Sequence, residues 1–236
     1  MRTKIFLVIT CVVTIFLFSC KQNYIKIDST TAKGEVPQLG NLTFRFNKVL
    51  HPDSLLNNWD SSEYISFEPA IPGRFRWEGP EELVFSPSQP LAPATTYKAR
   101  FKEDLFNYSE FDKVEGDEVT FSTAPLQLGD AGITWIAASD AGKAALPQLT
   151  LRFNYPVKSE DLKEKLKVEV DGVSADYILT NTGITSEVGV RLTSLKPEDR
   201  SYDTKIILEE GIKPDKGTNS TKETITQSLT IPSPYV

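Results

Sequence analysis

A chain of 236 residues with 26 basic and 32 acidic side chains carries a formal charge of −6, which argues against a protein built to neutralise nucleic-acid phosphate. One His and two Cys leave almost no material for a histidine metal site, a Ser-His pair or a disulfide framework. Fifteen Pro, 13 Gly, 13 Phe and eight Tyr favour short strands joined by turns.

Residues 1–19 place Arg2 and Lys4 ahead of an unbroken apolar run from Ile5 to Phe18. A charged head followed by an apolar stretch is an export signal, and the run falls short of the ~20 residues that span a bilayer as a helix. It closes on Leu17-Phe18-Ser19-Cys20, which resembles the lipobox of bacterial lipoproteins. Cys11 fits less well, because it follows Thr10 inside the continuing apolar run. The resemblance implies cleavage before Cys20 and acylation of Cys20; the alternative is an uncleaved signal anchor. Cleavage removes Arg2 and Lys4, leaving 24 basic against 32 acidic side chains and no thiol for a disulfide. Lys21, standing where an Asp would favour inner-membrane retention, points to the outer membrane. Residues 20–35 read as a lipidated polar tether. Asp28-Ser29-Thr30 within it, and Asp53-Ser54-Leu55 beyond it, resemble the O-glycosylation motif of Bacteroidetes secreted proteins, a three-residue pattern that also arises by chance.

The stretch LTFRFN at 42–47 recurs as LTLRFN at 149–154. Leu42, Phe44 and Phe46 alternate with polar residues, the period of a strand with one buried face, and Leu149, Leu151 and Phe153 repeat it. Each copy then enters a Pro- or Asp/Ser-containing turn where Ser or Asp could cap a short helical turn. In the first copy YISFEP, GRFRWEG, ELVFSP, TYKARF and EVTFST follow, and in the second LKVEVDG, SADYILT, EVGVRLT, YDTKIILEE and ETITQSLTI. All are short and bounded by Pro, Gly or charged turns, as strands are. In both copies a Leu, a Pro two positions on and a Tyr opening the next strand make Tyr97 and Tyr202 candidates for a tyrosine corner. The expectation is an all-β chain: two tandem immunoglobulin-like antiparallel sandwiches at 36–125 and 126–236, after the signal peptide at 1–19 and the tether at 20–35. Pro125 and Pro232 follow the last strand of each copy, so the chain reads as the start of a longer array.

Candidate chemistry is sparse. His51 has Lys158 as its repeat counterpart and reads as a solvent-facing turn residue. The acidic segment 102–118 lacks the spacing and internal Gly of a calcium loop and reads as a solvated hairpin insertion. Trp77 shares a face with Phe75 and reads as core; Trp135 sits in an apolar run and reads as buried. Trp59, in NNWDSS, is in a polar setting and is the one candidate ligand contact. No carboxylate pair is placed across a cleft, and no catalytic residue, metal ligand or cofactor is assigned.

The stretch from ISFEP to YKARF, followed by VTFSTA, and the second-copy opening LTLRFNYPVKSEDLKEKLKVEVDG resemble the amino-terminal macroglobulin-type domains of bacterial alpha-2-macroglobulins. The resemblance covers roughly 36–236. It implies a lipid-anchored, non-enzymatic scaffold belonging to a protease inhibitor, whose partners are the membrane and further modules or a protease. In that family a Cys-Gln thioester traps the protease, and no Cys follows Cys20 here. The alternative is a stand-alone surface lipoprotein that adheres to cells or binds glycans.

Overall fold

The computed structural model describes residues 23–137 and 144–235, so the expected export signal and Cys20 lie outside it. The first unit contains β1 (Tyr24–Ile25), β2 (Ile27–Thr30), β3 (Gly34–Val36), β4 (Leu42–Phe46), β5 (Trp59–Asp60), β6 (Ile65–Glu68), β7 (Gly73–Gly79), β8 (Glu82–Pro87), β9 (Thr96–Phe101), β10 (Lys113–Val114) and β11 (Glu118–Thr123). One sheet runs β2-β4-β8-β7-β5 and the other β3-β11-β9-β6. Between them lies an aromatic core in which Phe44, Phe46, Trp77, Phe85 and Phe121 are all at most 2% exposed. Alternation along β4 sends Leu42 and Phe44 inward opposite Phe85 and Leu83, as the period-two pattern requires.

The second unit contains β12 (Leu128–Ile136), β13 (Leu146–Lys158), α1 (Ser159–Lys165), β14 (Leu166–Val170), β15 (Val173–Ser174), β16 (Tyr177–Leu179), β17 (Ile184–Leu192), β18 (Tyr202–Leu208) and β19 (Ile225–Ile231). Its sheets are β12-β13-β17-β16 and β15-β14-β18-β19. β4 and β13 carry the repeated sequence, and each pairs with the strand four further along, β8 or β17. Each unit has its own apolar core, the second including Leu149, Leu151, Val188, Val190 and Ile206. The fold is all-β, with antiparallel sandwiches of the immunoglobulin-like arrangement.

The polar tether expected up to residue 35 is corrected at its C-terminal part. β2 pairs antiparallel with β4, and β3 pairs in parallel with β11 at the far edge of the other sheet. The chain therefore stitches both sheets together before the repeated strand begins. Ile25 and Ala32 are fully buried and Val36 is 5% exposed. The pattern was illegible because these are edge strands with polar outer faces, and the chain changes sheets between them, which breaks period two.

The capping expectation is also corrected. Asp53–Leu55 forms a 3-10 turn and α1 a short helix, and neither has a side-chain cap. Ser159 instead donates its hydroxyl to the Gly183 carbonyl at 3.1 Å, tying the helix to the turn before β17, while Leu162 is fully buried beneath it.

Candidate functional site

The repeated Arg-Phe-Asn does three separate jobs, each visible twice. Arg45 reaches Glu82 across the outer face at 4.0 Å, and Arg152 reaches Glu187 at 3.1 Å and Asp130 at 2.8 Å. Phe46 and Phe153 fill the cores at 1% and 6% exposure. The Asn clamps the entry of the first strand. Asn47 Oδ1 accepts the Lys26 N–H at 2.9 Å while the Asn47 N–H donates to the Lys26 carbonyl at 3.0 Å. Asn154 repeats both contacts with Gln127 and adds an Nδ2–H bond to the Pro125 carbonyl at 2.9 Å. Sequence reading treated this Asn only as the polar partner in an alternation. Its recurrence after Arg-Phe in both copies was the available signal.

Both tyrosine corners form. The Tyr202 hydroxyl donates to the Lys196 carbonyl at 2.7 Å. At Tyr97 the polarity is reversed: the Ala92 N–H donates to the phenol oxygen at 2.8 Å. These residues are structural, staking the loop before β9 or β18 against the core.

The turn ahead of β9 is also where the two sandwiches meet. Thr95 is fully buried; its N–H donates to Thr123 Oγ1 at 3.0 Å and its hydroxyl to the Pro93 carbonyl at 2.8 Å. Onto this braced turn comes the loop between β18 and β19 of the second sandwich. The Thr218 N–H donates to Thr95 Oγ1 at 3.2 Å, the Asn219 N–H to the Ala94 carbonyl at 2.8 Å, and Asn219 Nδ2–H to Thr96 Oγ1 at 2.9 Å. Gly217 passes so close that an added Cβ would lie 2.7 Å from the Pro93 oxygen. Two open grooves flank the contact. One, of about 430 Å³, is walled by Pro69, Pro72, Pro90, Pro93 and Lys216; the other, of about 460 Å³, lies between Thr96, Pro125 and Asn219–Glu223.

At the opposite end of the first sandwich the loops enclose a polar-aromatic cluster. His51, expected in solvent, is 6% exposed. Its ring stacks on Trp77 at 5.0 Å and meets the edge of Tyr108 at 5.1 Å. Burial lowers its pKa, against an opposing backbone hydrogen bond and the Asp60 charge. The correction has a simple cause: the segment from 102 to 118 folds over the sandwich end instead of projecting as a hairpin, with Leu105 and Val114 buried at 1% and 2%. Beside His51, the Tyr64 hydroxyl donates to Asp60. Burial and that bond push Tyr64 up to about 12. Burial alone would raise Asp60; hydrogen bonds from Tyr64 and Ser62 override it and hold the carboxyl below its usual range.

Trp77 is core, as read. Trp135 is half-buried, and its indole N–H donates to the Pro232 carbonyl at 2.9 Å. Trp59 is 38% exposed, but Arg74 and Arg76 place their guanidinium carbons 4.1 and 4.7 Å from its ring centroid. Cations cover the surface a sugar ring would stack on. Among the described residues, no group of three or more His, Cys, Asp or Glu is placed to hold a metal ion.

No protein-family model matches this chain. A solved L,D-transpeptidase from Mycobacterium tuberculosis H37Rv aligns over 72% of this chain and 76% of its own at 11% identity, with a TM-score of 0.28. The alpha-2-macroglobulin of Rickettsia conorii (strain ATCC VR-613 / Malish 7) is 24% identical over 166 residues, which is 67% of this chain and 8% of that protein. The chain thus spans 8% of the length of the curated relative that it matches. Over two thirds of its residues, it is alpha-2-macroglobulin-like.

Proposed function

We propose that this chain is a membrane-anchored, non-enzymatic scaffold that forms the amino-terminal part of an alpha-2-macroglobulin-like protease inhibitor. The observation that carries the reading is the similarity to alpha-2-macroglobulin across two thirds of the chain. Two features support it. The sandwiches meet end to end through a loop bonded onto a braced turn, a geometry suited to transmitting position rather than to chemistry. The apolar run near the amino terminus closes on the lipobox-like Leu17-Phe18-Ser19-Cys20, which supplies an anchor at the outer membrane.

The division of labour is then physical. Cys20 carries the acyl chains, the first sandwich stands at the membrane, and the second extends from it. Protease capture belongs to modules that carry a cleavable bait and a thioester, the latter requiring a thiol that this chain lacks after Cys20. Two measurements test the reading. Cys20→Ser abolishes diacylglycerol labelling and releases the protein from the membrane; retained labelling refutes the anchor. Residues 21–236, incubated with a panel of proteases, give no covalent adduct and no inhibition on their own; a protease-sized shift on denaturing gels overturns the scaffold reading.

A further inference from the structure

The correction at the amino terminus changes how far the protein can stand from its anchor. A 16-residue tether would let the sandwich float tens of ångströms from the lipid. The structure leaves three residues. Asn23 is already held: its Nδ2–H donates to the Glu110 carbonyl at 2.8 Å, and its own carbonyl accepts the Asp112 N–H at 3.2 Å. Tyr24 then pairs with Lys113. From Cys20 to Asn23 an extended chain covers about 11 Å at most.

The same contacts identify the end of the sandwich that this short leash holds down. It is built from the loop between β9 and β11, which binds Asn23; the loop after β4, whose Asn47 clamps Lys26; and the turn at Pro80, whose carbonyl accepts the Leu50 N–H at 2.8 Å. That end carries four exposed large apolar side chains: Tyr24 at 41%, Val49 at 58%, Leu55 at 41% and Tyr108 at 59%. Tyr108 is locked against His51, so the two loops share one surface. Strand β9 runs from the turn that receives the second sandwich up to this end, six residues, or about 20 Å. The loop end and the junction with the second sandwich therefore lie at opposite ends of the first sandwich.

We infer that the loop end formed around Tyr24, Val49, Leu55 and Tyr108 is a lipid-contact surface, seated on zwitterionic headgroups. The inference depends on the lipid-anchor reading above and adds to it which face meets the membrane. Tyrosines with an apolar ring and a polar tip suit the headgroup layer. Charge selects the lipid. Glu103, Asp104, Glu110 and Asp112 are exposed on this end with no cation within 4.0 Å among the described residues, and they outnumber Lys48 and Lys102, the exposed lysines of the same loops that the described ion pairs leave out, so the end is net acidic. An anionic surface would repel this net acidic end, whereas a zwitterionic surface, with no net charge, would not. Apolar contact by four side chains is weak alone, and the acyl anchor supplies the local concentration that makes it persistent.

The test uses the full lipoprotein, processed in bacteria and reconstituted into zwitterionic vesicles that contain spin-labelled lipid. Val49→Cys and, separately, Val173→Cys carry a fluorophore; Val173 is 69% exposed on the second sandwich. The expected result is co-flotation with vesicles, loss of fluorescence at position 49 and none at 173, with the loss at 49 reduced when anionic lipid is mixed in. Co-flotation with equal fluorescence at both positions overturns the lipid-contact surface while leaving the anchor intact, and would mean that the loop end faces another protein or solvent. Failure to co-float defeats the anchor and this inference together.

Discussion

Replacing Gly217 by Ala tests whether the two sandwiches are docked or merely joined. Gly217 has no left-handed backbone requirement, so the new methyl acts only by its bulk. The added Cβ would lie 2.6 Å from Pro214 Cγ and 2.7 Å from the Pro93 carbonyl oxygen. The proline ring can yield, but the carbonyl is backbone and is braced by the Thr95 hydroxyl at 2.8 Å. The loop must therefore back away by several tenths of an ångström or more. Such a shift stretches the Thr218 bond to Thr95, already 3.2 Å, and the Asn219 bond to Ala94 at 2.8 Å. Each is worth about 0.5–1.5 kcal/mol net, and overpacking of this kind costs about 1–3 kcal/mol. A loss of about 1–3 kcal/mol follows, confined to the junction. Amide hydrogen exchange reads it directly, because the Thr218 and Asn219 N–H groups are protected only by the first sandwich. Both amides should exchange faster in Gly217→Ala while those of β13 and β17 keep their protection. Unchanged exchange at both positions would refute docking through this loop.

Phe46→Ala and Phe153→Ala should each lower stability by about 3–5 kcal/mol, measured by chemical denaturation; a loss below about 1 kcal/mol would mean that the repeated strand does not face the core. Asn154→Ala removes a clamp that contacts both Gln127 and Pro125, whereas Asn47→Ala removes one that contacts Lys26 alone. At about 0.5–1.5 kcal/mol per bond, thermal melts should show the larger loss for Asn154. His51 is held neutral by burial, with its folded pKa below the ordinary value of 6.5. The unfolded chain therefore binds the proton more readily, and stability falls as pH drops from about 6.5 toward the folded pKa, then levels off. Melts at several pH values should show this decline in the wild type, and His51→Phe should remove it; an identical pH profile in both would sink the assignment.

The sequence by itself determined the all-β class and most of the strands. LTFRFN and LTLRFN alternate with period two, and one side of a strand must be dry, so Phe46 and Phe153 could be placed without coordinates. Tyr97 and Tyr202 were legible as corners because a Pro-stiffened loop followed by a Tyr at a strand start is a local pattern. Tertiary structure decided whatever depended on what lies across space. His51 is buried because a loop more than fifty residues away folds over it. Residues 24–36 are strands because two sheet edges offered unpaired backbone, and an edge strand needs few apolar residues of its own. Trp59 lost its open face to Arg74 and Arg76, which alternate on a neighbouring strand. The junction between the sandwiches was invisible for the same reason: Thr218 and Asn219 bond mainly through backbone N–H groups, which every residue except proline possesses and no side-chain pattern records.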